Sequence, residues 1–155
     1  MNPFEPGPSD WTGPPVDDGM VRRAEQTLGR RLPSAYVDVL RLRNGGVLAK
    51  NCYPTDFRTS WAADHFQMDV LLGIGYPEGA DTQSAYLIEE WGYPPIGVVI
   101  GVTAAAGPDT VMLDYSTPGE PAVAYIGEDR VPHRVAETFA EFMAGFVDEE
   151  QFEDD

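Results

Sequence analysis

The stretch LPSAYVDVLRLRNGG, residues 32–46, decides how this chain is built. Pro33 stands where a helix would start, a position at which its missing N–H is no loss. Tyr36, Val39, Leu40 and Leu42 give that helix an apolar side. Asn44-Gly45-Gly46 then stops it, since Asn and Gly tolerate the left-handed backbone of a C-terminal cap. Upstream, Asp17 or Asp18 is placed to cap an earlier helix that carries Met20, Val21, Ala24 and Leu28 and ends at Gly29. Few residues separate the two helices, which predicts a helical hairpin. Residues 1–15 contain five prolines and read as an extended lead-in, with Trp11 packed on the domain.

Beyond Gly46 the period changes. VLA, QMDVLLGIG, IGVVIGVT, TVMLDYS and AVAYIG are rich in Val, Ile and Tyr and bounded by Gly, Pro or Asp, as strands are. The links AAAGPD and TPGEP are short and turn-rich, so the last three strands should form an antiparallel meander. DTQSAYLIEEWGYPP predicts a helix capped by Asp81 or Thr82, carrying Ala85, Leu87, Ile88 and Trp91, and stopped by Gly92 and Pro94. A closing helix is read over HRVAETFAEFMAGFVDEE, with Val135, Phe139, Phe142, Met143 and Phe146 on one face. The expected organisation is a lead-in over 1–15, a single domain over 16–147 and an acidic tail over 148–155 that frays into solvent. The fold class is α+β, with an N-terminal helical hairpin and a C-terminal helix packed on a twisted, mainly antiparallel sheet.

A chain of 155 residues with 43% hydrophobic residues holds a core without staples. The one cysteine, Cys52, excludes an intramolecular disulfide and a cysteine-rich zinc site. The sequence opens without a basic start and apolar run, and no apolar stretch approaches membrane-spanning length, so a soluble cytoplasmic protein is expected. The net charge of −16 is unevenly spread: +1 over residues 1–58, −11 over 59–129, where no Lys or Arg occurs, and −6 over 130–155. Such a field repels phosphate backbones and speeds encounter with a basic protein. Plain solubility would account for the same charge.

Motifs of chemistry are sparse. GIGYPEG at 73–79 loosely matches a dinucleotide loop, but its spacing is wrong and it reads as a turn after a strand. His65 and His133 belong to no ligand pair, and His133 falls at the start of the expected last helix. Cys52 has no activating motif around it and reads as a small apolar residue. Asp109 and Asp114 flank a strand with an offset that puts them on opposite faces, and Asp114 suits a strand end whose turn N–H groups need an acceptor. No catalytic residue, metal site or cofactor is expected.

The series Val21, Glu25, Leu28, Gly29, Leu32, Pro33, Tyr36, Leu40, Asn44, Gly45, Gly46 resembles the opening of the SUKH superfamily, the group of Smi/Knr-type proteins and their bacterial relatives. IEEWGYPPIGVVIG, TVMLDY, AVAYIGED and VAETFAEFM extend the resemblance over residues 11–147. TAAAGPDT is shifted in composition from the family pattern, and residues 50–66 match no pattern. The resemblance implies an α+β fold and function by binding. Bacterial members are associated with immunity to polymorphic toxins, often nucleases, and fungal members act as regulatory interaction proteins.

The leading expectation is a non-catalytic immunity-type protein that neutralises a basic toxin domain by occupying it. Trp61, Asp64, Asp69, Glu78, Asp81, Glu89, Glu90 and Tyr93 are the candidate partner-binding residues, the two aromatics as anchors and the acids as steering charges. A stand-alone regulatory scaffold with a host protein partner is the alternative. A carboxylate hydrolase would need two carboxylates converging near His65 or His133.

Overall fold

The computed structural model describes residues 2–105 and 107–152. Helix α1 (Asp18–Leu28) opens with the Asp17 side chain accepting from the Met20 N–H at 2.8 Å, and closes on Gly29 in the left-handed conformation. Helix α2 (Ser34–Leu42) follows Pro33 directly. Glu25 fixes the link between them by accepting from the Leu32 N–H at 2.7 Å, and an Arg41–Asp18 ion pair at 2.7 Å joins their surfaces. The buried side of α2 is Tyr36, Val37 and Leu40, while Leu42 is 54% exposed. Tyr36 runs through the core, its edge against Phe139 and its hydroxyl donating to the Leu72 carbonyl at 2.5 Å.

The NGG triplet does something other than cap the helix. Arg43 is already extended, and Asn44 has no left-handed backbone. Asn44 is buried instead, and its amide nitrogen donates to the carbonyls of Pro14 and Ile74, both at 2.8 Å. Its amide oxygen accepts from the Ile74 N–H at 2.9 Å. Gly45 must be glycine on two counts: its φ is 85°, and a Cβ there would lie 2.6 Å from the Gly73 nitrogen.

Among the described residues seven strands form one antiparallel sheet. Strands β1 (Gly46–Val47) and β2 (Cys52–Pro54) both pair with β3 (His65–Leu71). The order then continues through β4 (Gly97–Thr103), β5 (Thr110–Asp114), β6 (Ala122–Ile126) and β7 (Pro132–Ala136). Every residue of β5 and β6 is buried, which marks them as central strands covered on both faces. Helix α3 (Ala80–Trp91) packs on β4 and against α1, and α4 (Phe139–Ala144) packs on α2, β6 and β7.

Three segments differ from expectation. The closing helix is shorter, because residues 132–136 are strand β7. The turn 127–130 makes a hairpin of β6 and β7, with the Arg130 N–H donating to the Gly127 carbonyl at 3.0 Å. The helix begins only after Thr138, whose hydroxyl accepts from the Glu141 N–H at 3.1 Å, so the four-residue offset between Val135 and Phe139 spans a strand and a helix. The lead-in adds to the sheet edge: Phe4 is buried and bridges Leu48. At the other end a 3-10 turn over Glu149–Phe152 folds back and stacks Phe152 on His65, 3.7 Å between centroids, rather than fraying; residues 153–155 lie outside the described residues.

Residues 55–64, unplaced by pattern, cross to the β6–β7 turn. The Ser60 N–H donates to the Tyr125 hydroxyl at 3.0 Å, the Ser60 hydroxyl accepts from the Glu128 N–H at 3.1 Å, and Phe57 stacks on His133. Helix α3 is pinned to β4 where the β4–β5 register shifts between Val99 and Gly101. There the buried Ser84 hydroxyl accepts from the Val99 N–H at 3.0 Å and lies 3.4 Å from the Val99 carbonyl. Ser84→Ala leaves that buried N–H without its hydroxyl and is expected to lower the unfolding free energy by about 1–3 kcal/mol in urea denaturation, with an unchanged m-value.

Candidate functional site

On α3 two exposed aromatic side chains, Tyr86 and Trp91, stand among carboxylates. Its N-cap is Gly79, not Asp81 or Thr82. Those two side chains turn back into the preceding loop: the Asp81 carboxylate accepts from the Gly75 N–H at 3.1 Å, and Thr82 donates to the Tyr76 carbonyl at 2.9 Å. The glycine string 73–79 is thus the turn that launches α3. Only Ala80 and Ser84 of α3 are buried; Leu87 and Ile88 pack partly on the core. Ala85, Tyr86, Glu89, Glu90 and Trp91 face solvent, Tyr86 at 59% and Trp91 at 41% exposure.

The end of α3 is held by Arg130, which has a left-handed backbone with φ of 60°. Its Nε donates to the Trp91 carbonyl at 2.9 Å, and its Nη1 to those of Pro108 and Gly127 at 2.6 and 2.7 Å. The guanidinium also lies over the Tyr93 ring, 5.1 Å from its centroid. Tyr93 is only 4% exposed, with its hydroxyl donating to the Gly107 carbonyl at 2.5 Å, so it is a wall residue and no projecting anchor.

Between α3, Trp11 and the sheet runs a groove of about 320 Å³. Gln83, Leu87 and Trp91, four residues apart, line one side, while Leu72, Val102 and Thr110 line another. Glu78 and Asp109 are also among its lining residues, though the Asp109 carboxylate is directed to Thr103 and Tyr125, which do not line the groove. Asp109 is 1% exposed; one oxygen accepts from the Tyr125 hydroxyl at 2.5 Å and the other from the Thr103 hydroxyl.

The candidate residues fall on two parts of the fold. Glu78, Asp81, Glu89, Glu90 and Tyr93 belong to α3 and its flanking turns. Trp61, 47% exposed, lies in the 55–64 segment; Asp64 there pairs with His65 at 2.8 Å, and Asp69 on β3 accepts from Gln67 at 2.7 Å. Asp109 and Arg130 were not read as parts of a site. Their partners come from other strands and turns, which linear spacing does not reveal. Asp114 behaves as its position suggested, accepting from the Ser116 N–H at 2.9 Å.

The two histidines and the cysteine are engaged in contacts that do not suit chemistry. His65 contacts Asp64 and Phe152; His133 contacts Asp129 at 3.1 Å and Phe57. The carboxylate of Asp129 is held below its ordinary range by the Val131 N–H and by His133. Burial, aided by nearby Glu149 and Asp69, pushes the Cys52 thiol up to about 11, opposite to what a nucleophile needs. Among the described residues no group of three His, Cys, Asp or Glu is placed to hold a metal ion, and no helix is long and apolar enough to cross a membrane.

A family model described as SUKH_6, SMI1-KNR4 cell-wall, matches residues 18–143. The chain belongs to this family, and the matched span runs from the start of α1 into α4. Comparisons with curated proteins and with solved structures find no match.

Two measurements check the construction of this face. Arg130→Lys keeps the charge but not the planar fork that reaches three carbonyls. Its expected cost is about 1.5–3 kcal/mol of stability, accompanied by a shift in tryptophan emission as Trp91 loosens. Burial raises the phenols of Tyr93, Tyr115 and Tyr125 from 10.0 to about 12, helped in Tyr125 by its bond to Asp109. A raised folded value means the protonated form is favoured in the native state. Stability is therefore full below pH 10 and should fall as the pH rises through about 12. Ultraviolet titration of the native chain should show a matching late tyrosinate step.

Proposed function

We propose that the chain is a non-catalytic immunity-type protein that neutralises a basic toxin domain, such as a nuclease, by binding it directly. The observation that carries this reading is the outer face of α3, where Tyr86 and Trp91 stand exposed beside Glu89 and Glu90. That helix lies inside the run from Thr59 to Asp129, which has eleven acids and no Lys or Arg. Aromatic side chains supply contact area at a small entropic cost, and unpaired carboxylates steer an oppositely charged partner. Membership of a family with Smi/Knr-type relatives fits a binding role. The second face, with Trp61 and Asp64, is a further candidate surface of the same partner.

The test is a tagged pull-down from the native organism at low and high salt, followed by inhibition and rate measurements on the basic polypeptide recovered. Glu89→Lys with Glu90→Lys should slow association several-fold at low salt while changing dissociation little, and the difference should shrink as salt is added. Equal association rates at low salt would remove the steering role. Recovery of host regulatory proteins alone, with no toxin activity inhibited, would favour a regulatory scaffold instead.

A further inference from the structure

We propose that the layer formed by α1 and α3 is a docking surface for a second copy of this chain, arranged about a two-fold axis. Two helices of opposite charge are neighbours in that layer. Helix α1 packs against α3, with the Met20 side chain at the Gly75 turn from which α3 departs. The outer side of α1 and its exit carry Arg22, Arg23, Arg30 and Arg31, all exposed and none in a salt bridge among the described residues. Glu25, the acid lining the shallow hollow beside Arg22, Arg30 and Arg31, is held by the Leu32 N–H. The outer side of α3 carries Glu89 and Glu90 with Tyr86 and Trp91, and no base. The two charged ends are fixed apart. Tyr115 holds the basic one: its ring centroid lies 5.1 Å from the Arg30 guanidinium carbon, and its hydroxyl donates to the Arg31 carbonyl at 2.7 Å. The Tyr115 N–H in turn donates to the Ile96 carbonyl, just before β4 begins. The acidic end is held past the other end of β4, where Arg130 joins the Trp91 and Pro108 carbonyls. Strand β4 runs from Gly97 to Thr103, so the two anchors stand about 20 Å apart along the sheet.

A two-fold axis passing between these ends sets each basic end against the acidic end of the other copy, so one operation satisfies both. The contact is isologous and closes at the dimer. Tyr86 and Trp91, 59% and 41% exposed, stand at the acidic end and supply the aromatic surface that such contacts bury. Arginine suits the opposite end, since its planar fork takes a carboxylate through two parallel N–H bonds. The net charge of −16 on each copy opposes association. At physiological ionic strength, however, exposed charges more than about 8 Å apart are largely screened, and the local match decides. A basic toxin would meet the same outer face of α3, so the second copy and the toxin exclude each other there. That last step alone rests on the immunity reading.

The test is sedimentation velocity on the full chain near physiological salt, from about 10 μM to about 1 mM, the range of weak contacts. The mean mass is expected to climb towards twice that of the monomer. Two variants carry the decision: Arg30→Glu with Arg31→Glu, and Glu89→Lys with Glu90→Lys. Each alone should stay monomeric, because both of its contacts become repulsive. Their equimolar mixture should dimerise again, since in the mixed pair glutamate faces lysine at one contact and arginine faces glutamate at the other. Arg134→Glu, on β7 at the far edge of the sheet, changes the net charge without touching this face and should leave the wild-type curve unchanged. A wild-type chain monomeric at the top concentration would overturn the proposal. So would variants that associate as the wild type does, a mixture that stays monomeric, or an equal loss in Arg134→Glu. A monomer whose arginine Nε–H signals respond to hexaglutamate would overturn it too, and would assign the basic end to a different acidic partner. The two readings fail separately. A monomeric chain that still inhibits a basic toxin through Glu89 and Glu90 would sink only the dimer, and a dimer restored by the charge swap stands even if no toxin is found.

Discussion

Much of this structure depends on one buried amide. Asn44 is the place where three distant stretches of chain meet: the lead-in at Pro14, the exit from α2, and the turn after β3 at Ile74. Each of its polar atoms is used, so the junction is fully satisfied and admits one geometry. The consequences spread outward. Holding the lead-in here brings Trp11 to the groove, and holding residues 73–76 sets the turn from which α3 departs. Tyr36 and Glu25 act in the same way at smaller scale, one tying α2 to the end of β3 and the other closing the α1–α2 link. Several residues on which the resemblance to the family rests are thus inter-segment fasteners more than helix formers.

Beside the acids of the α3 face stands one structural cation, Arg130. It is the first cation after the base-free run, and it could have quenched the field of its neighbours. Its geometry gives it carbonyls and an aromatic ring instead, with no carboxylate within ion-pair distance among the described residues. The positive charge is used as a bolt between α3, the β4–β5 loop and the β6–β7 turn. The carboxylates of α3 make no ion pair among the described residues, and a shape-determining cation sits beneath an acidic surface.

Local rules made the first two helices legible, because caps, proline and glycine act over three or four residues. The central strands were legible because apolar runs bounded by turn residues have few other outcomes. Local rules failed where a periodicity had two readings. Val135 and Phe139 fit a helical stripe, yet the Thr138-to-Glu141 capping pattern marks the true start, and Pro132 belongs on an edge strand. The NGG triplet failed differently: its composition permits a helix cap, and only the long-range contacts show a junction. Of the candidate surface, the acids of α3 could be read from charge alone. Trp11 and Asp109 could not, since the groove exists only once the lead-in, β4, β5 and α3 have come together.

Both described ends of the chain are stitched to the same short stretch of sheet edge. Phe4 bridges Leu48 and Val147 bridges Cys52, so the two attachment points lie four residues apart along the chain. Four extended residues span at most about 14 Å. The polypeptide is therefore close to a ring, with its opening at that edge and its interior held by Asn44. Covalent closure with a short flexible linker would constrain little that the fold does not already constrain, and new termini could be placed in an exposed turn such as residues 116–120 without parting either attachment.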